Sequence, residues 1–301
     1  MLQTDTQQSL IDLDAVLAAA QLPALPQTAI RLLELSQDAS NGPNEFAVPL
    51  EADVGLLGQV LKFVNSSYFG FSREISNVKQ ALALVGVRTI KNFALWSAVF
   101  SLVPDPKFGP FDLKNLWQDS LRRAVFSRLL GKVLKLPNAE DLFAAALLQD
   151  MAIPLLLKEL PAQYEPLIDR RTANEQLRLS QLEREVFGWD HAEAAAALVR
   201  NWHLPEEFAV LIERHPNLDE LLNASQLDAA CVALAALLPS CKDSQWQERG
   251  VFMSGLARLS SSMSSASLET LIAEADATFA DFAPVMKLPV PDRSLTQWFA
   301  E

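Results

Sequence analysis

Residues 142–153 read LFAAALLQDMAI, an apolar helical run interrupted by one polar pair, Gln149 and Asp150, and followed by Pro154. A core-facing helix tolerates an amide beside a carboxylate only if both find partners, because unpaired burial of either group is costly. The structural expectation is that they bond to neighbouring helix ends or to Arg and Lys of the preceding helix. The functional alternative is a ligand pocket.

Helical periodicity extends outward from this run in both directions, and alternating β-branched runs bounded by turns are nearly absent. The expected fold is all-α. LDAVLAAAQLP (13–23) predicts a first helix ending near Pro23, and PQTAIRLLELSQD (26–38) a second with Pro26 near its first turn. In EADVGLLGQVLKFVNSSYFG (51–70), Val54, Leu57, Val60, Leu61 and Val64 form one stripe, and the helix pauses at Asn65-Ser66-Ser67. Asn65 and Ser66 are expected to bond orphan backbone groups there. Gly86 separates two helices within 75–103, and PDPKFGP (104–110) connects to the long basic segment DLKNLWQDSLRRAVFSRLLGKVLKL (112–136).

Pro137 and Pro154 are read as bounding AEDLFAAALLQDMAI (139–153). Ser180 and Glu183 have capping-box spacing, Gly188 closes that short helix, and Asp190 is the expected N-cap of the next, which stops before Pro205. Ser267, after the serine-rich LSSSMSSAS (259–267), is the expected cap of the last long helix. The predicted organisation is an N-terminal helical subdomain over 1–110, a second over 111–240 and a C-terminal helical extension over 241–301, packed on or following the core.

Composition narrows the function. Of 301 residues 50% are hydrophobic and 21% charged, which is the balance of a packed globular protein. A formal net charge of -12 argues against phosphate-backbone or anionic-membrane binding. With no basic leader and no long uncharged apolar stretch, a soluble, cytoplasmic protein is expected. The two cysteines, Cys231 and Cys241, form no Cys-x-x-Cys pair, so a thiolate zinc site and a thioredoxin-type redox pair lose support. P-loop, Rossmann and Gly-x-Ser-x-Gly signatures are also absent.

Several segments, in order, resemble the HDOD family, the HD-related output domains of bacterial signalling. These are LPALPQTAIRLLEL (22–35), LGQVLKFVNSSYFG (57–70), ISNVKQALALVGVRTIKNFAL (75–95), LWQDS (116–120), AALLQDMAI (145–153), FGWDHAEAAAALVRNWHLPEEF (187–208) and CVALAALL (231–238). The signature positions are Asn65, Ser66, Gly86, Trp117, Gly188, Asp190, His191 and Trp202. The resemblance covers roughly residues 20–240 and implies two packed helical subdomains, the second HD-like. It further implies a non-catalytic signalling module partnered by histidine kinases, response regulators or cyclic-di-GMP enzymes.

HD hydrolases hold metal with a histidine, a His-Asp pair and a further aspartate. The matching positions here carry Asp119, Gln149, Asp150 and Ala236: two carboxylates, one amide and no imidazole. Because a hydrolytic metal centre needs three or four converging ligands, the expectation is no metal, no cofactor and no enzymatic activity. A sensor of a small phosphorylated or nucleotide-like ligand in the vestigial cleft is the alternative, and a divergent phosphohydrolase the third reading. The twelve-residue spacing of His191, His203 and His215 excludes an i, i+4 pair, so structural roles are expected for all three, with a His triad formed by tertiary folding left open. Arg122, Arg123, Arg128 and Lys132 are read as a solvated basic face that can also dock an acidic partner or phosphate.

Overall fold

The computed structural model describes residues 11–20, 24–260 and 263–301. Among them there are helices and turns and no strand. Leu22 and Pro23 of the LPALP opening, the latter the expected end of the first helix, and Ser261 and Ser262 of the serine-rich stretch lie outside the described residues. The first group comprises α1 (Leu13–Ala19), α2 (Gln27–Ser36), α3 (Pro43–Ala52), α4 (Val54–Val64), a 3-10 turn at Ser67–Phe69, α5 (Val78–Val85) and α6 (Val87–Leu102). Gly86 takes φ 95, a conformation that favours glycine, and turns α6 by 116° from α5. Asn65 closes the intervening loop: its Nδ2 donates to the Leu61 and Ile75 carbonyls, and its Oδ1 accepts from the Ile75 N–H. Ser66 donates to the Phe63 carbonyl, so both residues do the expected backbone work.

α7 (Leu113–Val133) is the central post, packed along α8 (Ala139–Leu148) and by helices from much later in the chain. Around it follow α9 (Ala152–Glu159), α10 (Pro161–Ala173), α11 (Leu179–Phe187), α12 (His191–Asn201), α13 (Glu206–Glu213), α14 (Leu218–Asn223) and α15 (Leu227–Ala235). The chain closes with α16 (Arg249–Leu259), α17 (Ser265–Phe282) and α18 (Leu295–Phe299). Both α15 and α17 lie on α7. Phe282 of α17 also meets the Phe63 ring at 5.3 Å, and Gln118 and Arg122 of α7 donate to the carbonyls of Pro289 and Arg293. Residues 265–299 therefore complete the core, which runs as one apolar cluster from Val16 to Leu295. Among the described residues no single helix is long and apolar enough to cross a membrane.

Five local expectations are corrected. Val54 begins α4 but is 81% exposed; the buried stripe consists of Val60, Phe63 and Val64. Pro154 does not end the apolar helix: α8 stops at Leu148, Gln149–Met151 form the turn, and Pro154 falls in the first turn of α9, where its missing N–H costs nothing. Ser180 lies inside α11, whose N-cap is Arg178, so its capping box with Glu183 does not form. Ser264, not Ser267, caps α17, and it accepts the Ser267 N–H.

The fifth correction concerns the basic face of α7. Arg122 and Arg128 are 3% and 5% exposed. Arg122 bonds the Pro239 and Arg293 carbonyls; Arg128 pairs with Glu140 at 2.8 Å and lies 4.6 Å over the Tyr68 ring. Arg123 is turned inward onto Asp150. Only Lys132 of the four is exposed, because a helix surrounded by α8, α15 and α17 has almost no solvated side left.

Candidate functional site

Beside α7 lies a cavity of about 470 Å³ whose wall includes Asp119, Arg123, Gln149, Asp150, His191 and His215. Each residue arrives by a different local device. Gln149 and Asp150 occupy the tight turn between α8 and α9. His191 is the first residue of α12, fixed by the Asp190 N-cap, whose carboxylate accepts the N–H groups of Ala192 and Glu193. His215 follows the end of α13.

Asp150, His191 and His215 form one buried cluster. Asp150 Oδ1 lies 3.4 Å from His191 Nε2 and 3.8 Å from His215 Nε2, while Oδ2 accepts from Arg123. The opposite ring nitrogens are both committed. His191 Nδ1 lies 2.6 Å from Glu183 Oε2, and His215 Nδ1 donates to the Ile212 carbonyl at 2.7 Å. Glu183 in turn accepts the His191 backbone N–H at 2.8 Å and the Tyr164 hydroxyl. His203 stands apart: it is exposed, has φ 54, and ends α12 with the Leu204 N–H reaching back to the Val199 carbonyl. The three histidines therefore do not converge as a triad: His191 and His215 meet at Asp150, and His203 lies apart.

Burial alone would push the Asp150 carboxyl upward, but Arg123 and the two imidazoles hold it well below the usual carboxylate range. Burial disfavours the His191 imidazolium; Glu183 and Asp150 nevertheless raise its pKa well above the ordinary value. His215 has no such second carboxylate, and burial lowers it to about 4. Around Asp150, therefore, His191 is the protonated ring and His215 the neutral one.

Of the four HD positions, only Asp150 belongs to the cluster with His191 and His215. Asp119 has both oxygens engaged, Oδ1 by the Cys241 N–H at 2.7 Å and Oδ2 by the Ser240 hydroxyl. Ala236 offers no donor. Gln149 is fully buried, and neither atom of its amide makes a hydrogen bond within the described chain. Of the expectation that the polar pair is satisfied by neighbours, Asp150 bears out the half concerning the preceding helix, since Arg123 belongs to α7; Gln149 does not. Of the signature residues, Asp190 and His191 build the site, while Trp117 packs on Phe100 and Gly188 ends α11 with φ 85. Sequence reasoning gave Glu183 only a capping role and missed Tyr164 and the role of His215, which are joined to the site by tertiary packing.

The HDOD domain family matches residues 22–218. The chain belongs to the HDOD family. Among curated proteins, an uncharacterized protein from Treponema pallidum (strain Nichols) is 26% identical over 208 residues, 66% of this chain. YuxH of Bacillus subtilis (strain 168) is 32% identical over 89 residues, 30% of this chain. The matches span only 39% and 21% of those relatives' lengths. Among solved structures, an HDOD domain protein of unknown function from Geobacter sulfurreducens has a TM-score of 0.68 at 20% identity, covering 91% of this chain and 99% of that one. A proposed signal transduction protein from Marinobacter aquaeolei VT8 has a TM-score of 0.71 at 20% identity, covering 90% of this chain and 61% of that one. At such identities these structures share the HDOD fold with this chain, and the likeness extends no further.

Proposed function

We propose that this HDOD chain is a non-catalytic signalling module that acts through protein contacts in the bacterial cytoplasm. The observation that carries this reading is the state of the four HD positions. One is Ala236, one is an amide, one is Asp119 bound on both oxygens by Ser240 and Cys241, and only Asp150 meets imidazole. A hydrolytic centre built in the HD manner has lost three of its four supports. Histidine kinases, response regulators and cyclic-di-GMP enzymes are the partner classes that the family suggests.

The docking surface in this reading is not the basic side of α7, whose arginines are internal. Exposed apolar side chains on the N-terminal helices, Val48, Val54 and Leu84, are better suited, since more than half of each is open to solvent. Capture of a signalling protein by the wild-type chain, lost on Val54→Asp and Leu84→Asp without a change in melting temperature, supports the reading. Retained capture in both variants moves the surface elsewhere, and phosphoester turnover by the purified chain overturns the proposal.

A second reading has its own observation. The Gln149 amide is buried without a protein partner on a cavity wall that also carries Arg171, Arg178 and Lys242. An amide in that state can recognise a polar ligand, and a phosphorylated or nucleotide-like one would have to draw Arg171 and Arg178 from the Asp243 and Glu248 carboxylates with which they pair. Calorimetric titration with nucleotides, repeated on Gln149→Leu, tests it.

A further inference from the structure

The three atoms that converge at Asp150 pose an electrostatic problem. Each histidine has its Nδ1 tied to a fixed partner, one to Glu183 and the other to a main-chain carbonyl, so each presents Nε2 to the same carboxylate oxygen. A neutral ring held this way points its Nε2 lone pair at an anionic oxygen, and the two repel unless something positive joins them. A proton on one ring does so for one contact only. A metal ion does so for all three.

We propose that Asp150 Oδ1, His191 Nε2 and His215 Nε2 form a three-ligand site for a divalent transition metal, with zinc the preferred ion. This set is distinct from the four HD positions, sharing only Asp150 with them. The geometry fits: ligands about 2.1 Å from a tetrahedral ion lie about 3.4 Å from one another, and the two measured separations from Oδ1 are 3.4 and 3.8 Å. All three ligand atoms lie within 4.8 Å of one another, so side-chain movement alone can close the site.

The surroundings are those of a ligand set. Glu183 receives the outer nitrogen of His191 and is itself held by Tyr164, the carboxylate–histidine arrangement that fixes a ring's tautomer and orientation toward a metal. Arg123 takes Oδ2 of Asp150 and leaves Oδ1 free, so the carboxylate binds through one oxygen. Two imidazoles and one carboxylate suit zinc or ferrous iron, whereas magnesium and calcium prefer all-oxygen sets. Three protein ligands leave a coordination position, and the cavity wall with the unpartnered Gln149 amide stands beside it. The ion would therefore present a small anion or an exogenous donor to the cavity, with no hydrolytic step implied.

The test is metal binding by the full chain. Protein stripped with a chelator is titrated with zinc chloride at neutral pH, and bound metal is counted by plasma mass spectrometry after desalting, with magnesium as the parallel arm. The expected result is one zinc per chain, retained in His203→Asn, lost in His215→Asn, and weakened about 10–100-fold in Glu183→Gln through mis-orientation of His191. Cobalt substitution gives an independent readout: a visible ligand-field band in the wild type that is absent from His215→Asn. Each variant's circular dichroism and melting curve is recorded, and zinc is expected to raise the melting temperature of the wild type but not of His215→Asn. No zinc bound by the wild type, or equal binding by His215→Asn, overturns the proposal.

Discussion

Glu183 Oε2 is bonded twice by a single residue, accepting the His191 backbone N–H at 2.8 Å and facing its Nδ1 at 2.6 Å. Its other oxygen accepts the Tyr164 hydroxyl. One carboxylate on α11 thus fixes the start of α12, the orientation of an imidazole and a buried phenol.

Removing that carboxylate strands a buried imidazolium and a buried hydroxyl together. Glu183→Ala is expected to destabilise the fold by about 3–5 kcal/mol, the range for breaking a buried ion pair from one side. Tyr164→Phe is expected to cost about 1.5–3 kcal/mol, as for one hydrogen bond to a charged group. Urea unfolding of both variants and of the double variant checks this. A loss under about 1 kcal/mol for Glu183→Ala contradicts the packing of α11 on α12.

The arginines of α7 are internal supports, so charge reversal there acts on stability before any partner is involved. Arg128→Glu places a second carboxylate against Glu140 and is expected to cost at least about 3–5 kcal/mol. Lys132→Glu, on the exposed remainder of the same helix, is expected to fall within about 0.5 kcal/mol of wild type. Thermal melts of the pair decide the matter, and equal melting temperatures would restore the solvated-face reading.

α7 and α8 approach closely at Gly131, where an added Cβ would lie 2.6 Å from Leu142 Cδ1 and 3.5 Å from Ala139 Cβ. Gly131→Ala gains helix propensity but overpacks this contact, with a net expected loss of about 1–3 kcal/mol by denaturant titration. A stabilised variant would mean that the two helices do not meet there.

Neither thiol is expected to react in the native state. Burial raises the Cys231 thiol, and burial with the nearby Asp119 carboxyl pushes Cys241 up to about 12. At pH 8 the thiolate fraction of Cys241 is then on the order of 10⁻⁴, and it grows only as pH rises toward 12. Iodoacetamide should label the native chain slowly at pH 8 and both cysteines promptly in urea; rapid native labelling of Cys241 would contradict its placement against Asp119.

What the sequence discloses and what it conceals divide along the range of the interactions. Gly86, Gly188 and the Asp190 cap are legible because backbone conformation and a carboxylate two or three residues from its N–H partners are local matters. The arginines on α7 mislead because charge suggests a wet surface, although Leu121, Val125, Phe126 and Leu130 interleave with them and occupy more than one side of the helix, the mark of a helix enclosed on all faces. Ser180 and Glu183 have the spacing of a capping box, yet the stronger demand on Glu183 comes from His191 eight residues on. His215 and Asp150 are 65 positions apart in the chain, and no periodicity in either segment signals that they meet.

The central claim, that the chain signals without catalysing, is tested most directly by turnover. The purified chain is assayed with zinc, manganese or magnesium on a phosphodiester, a phosphomonoester and a cyclic dinucleotide, beside Asp150→Ala. The account predicts no rate above that variant with any ion, including zinc bound at one per chain. Metal-dependent turnover that disappears in Asp150→Ala would contradict it.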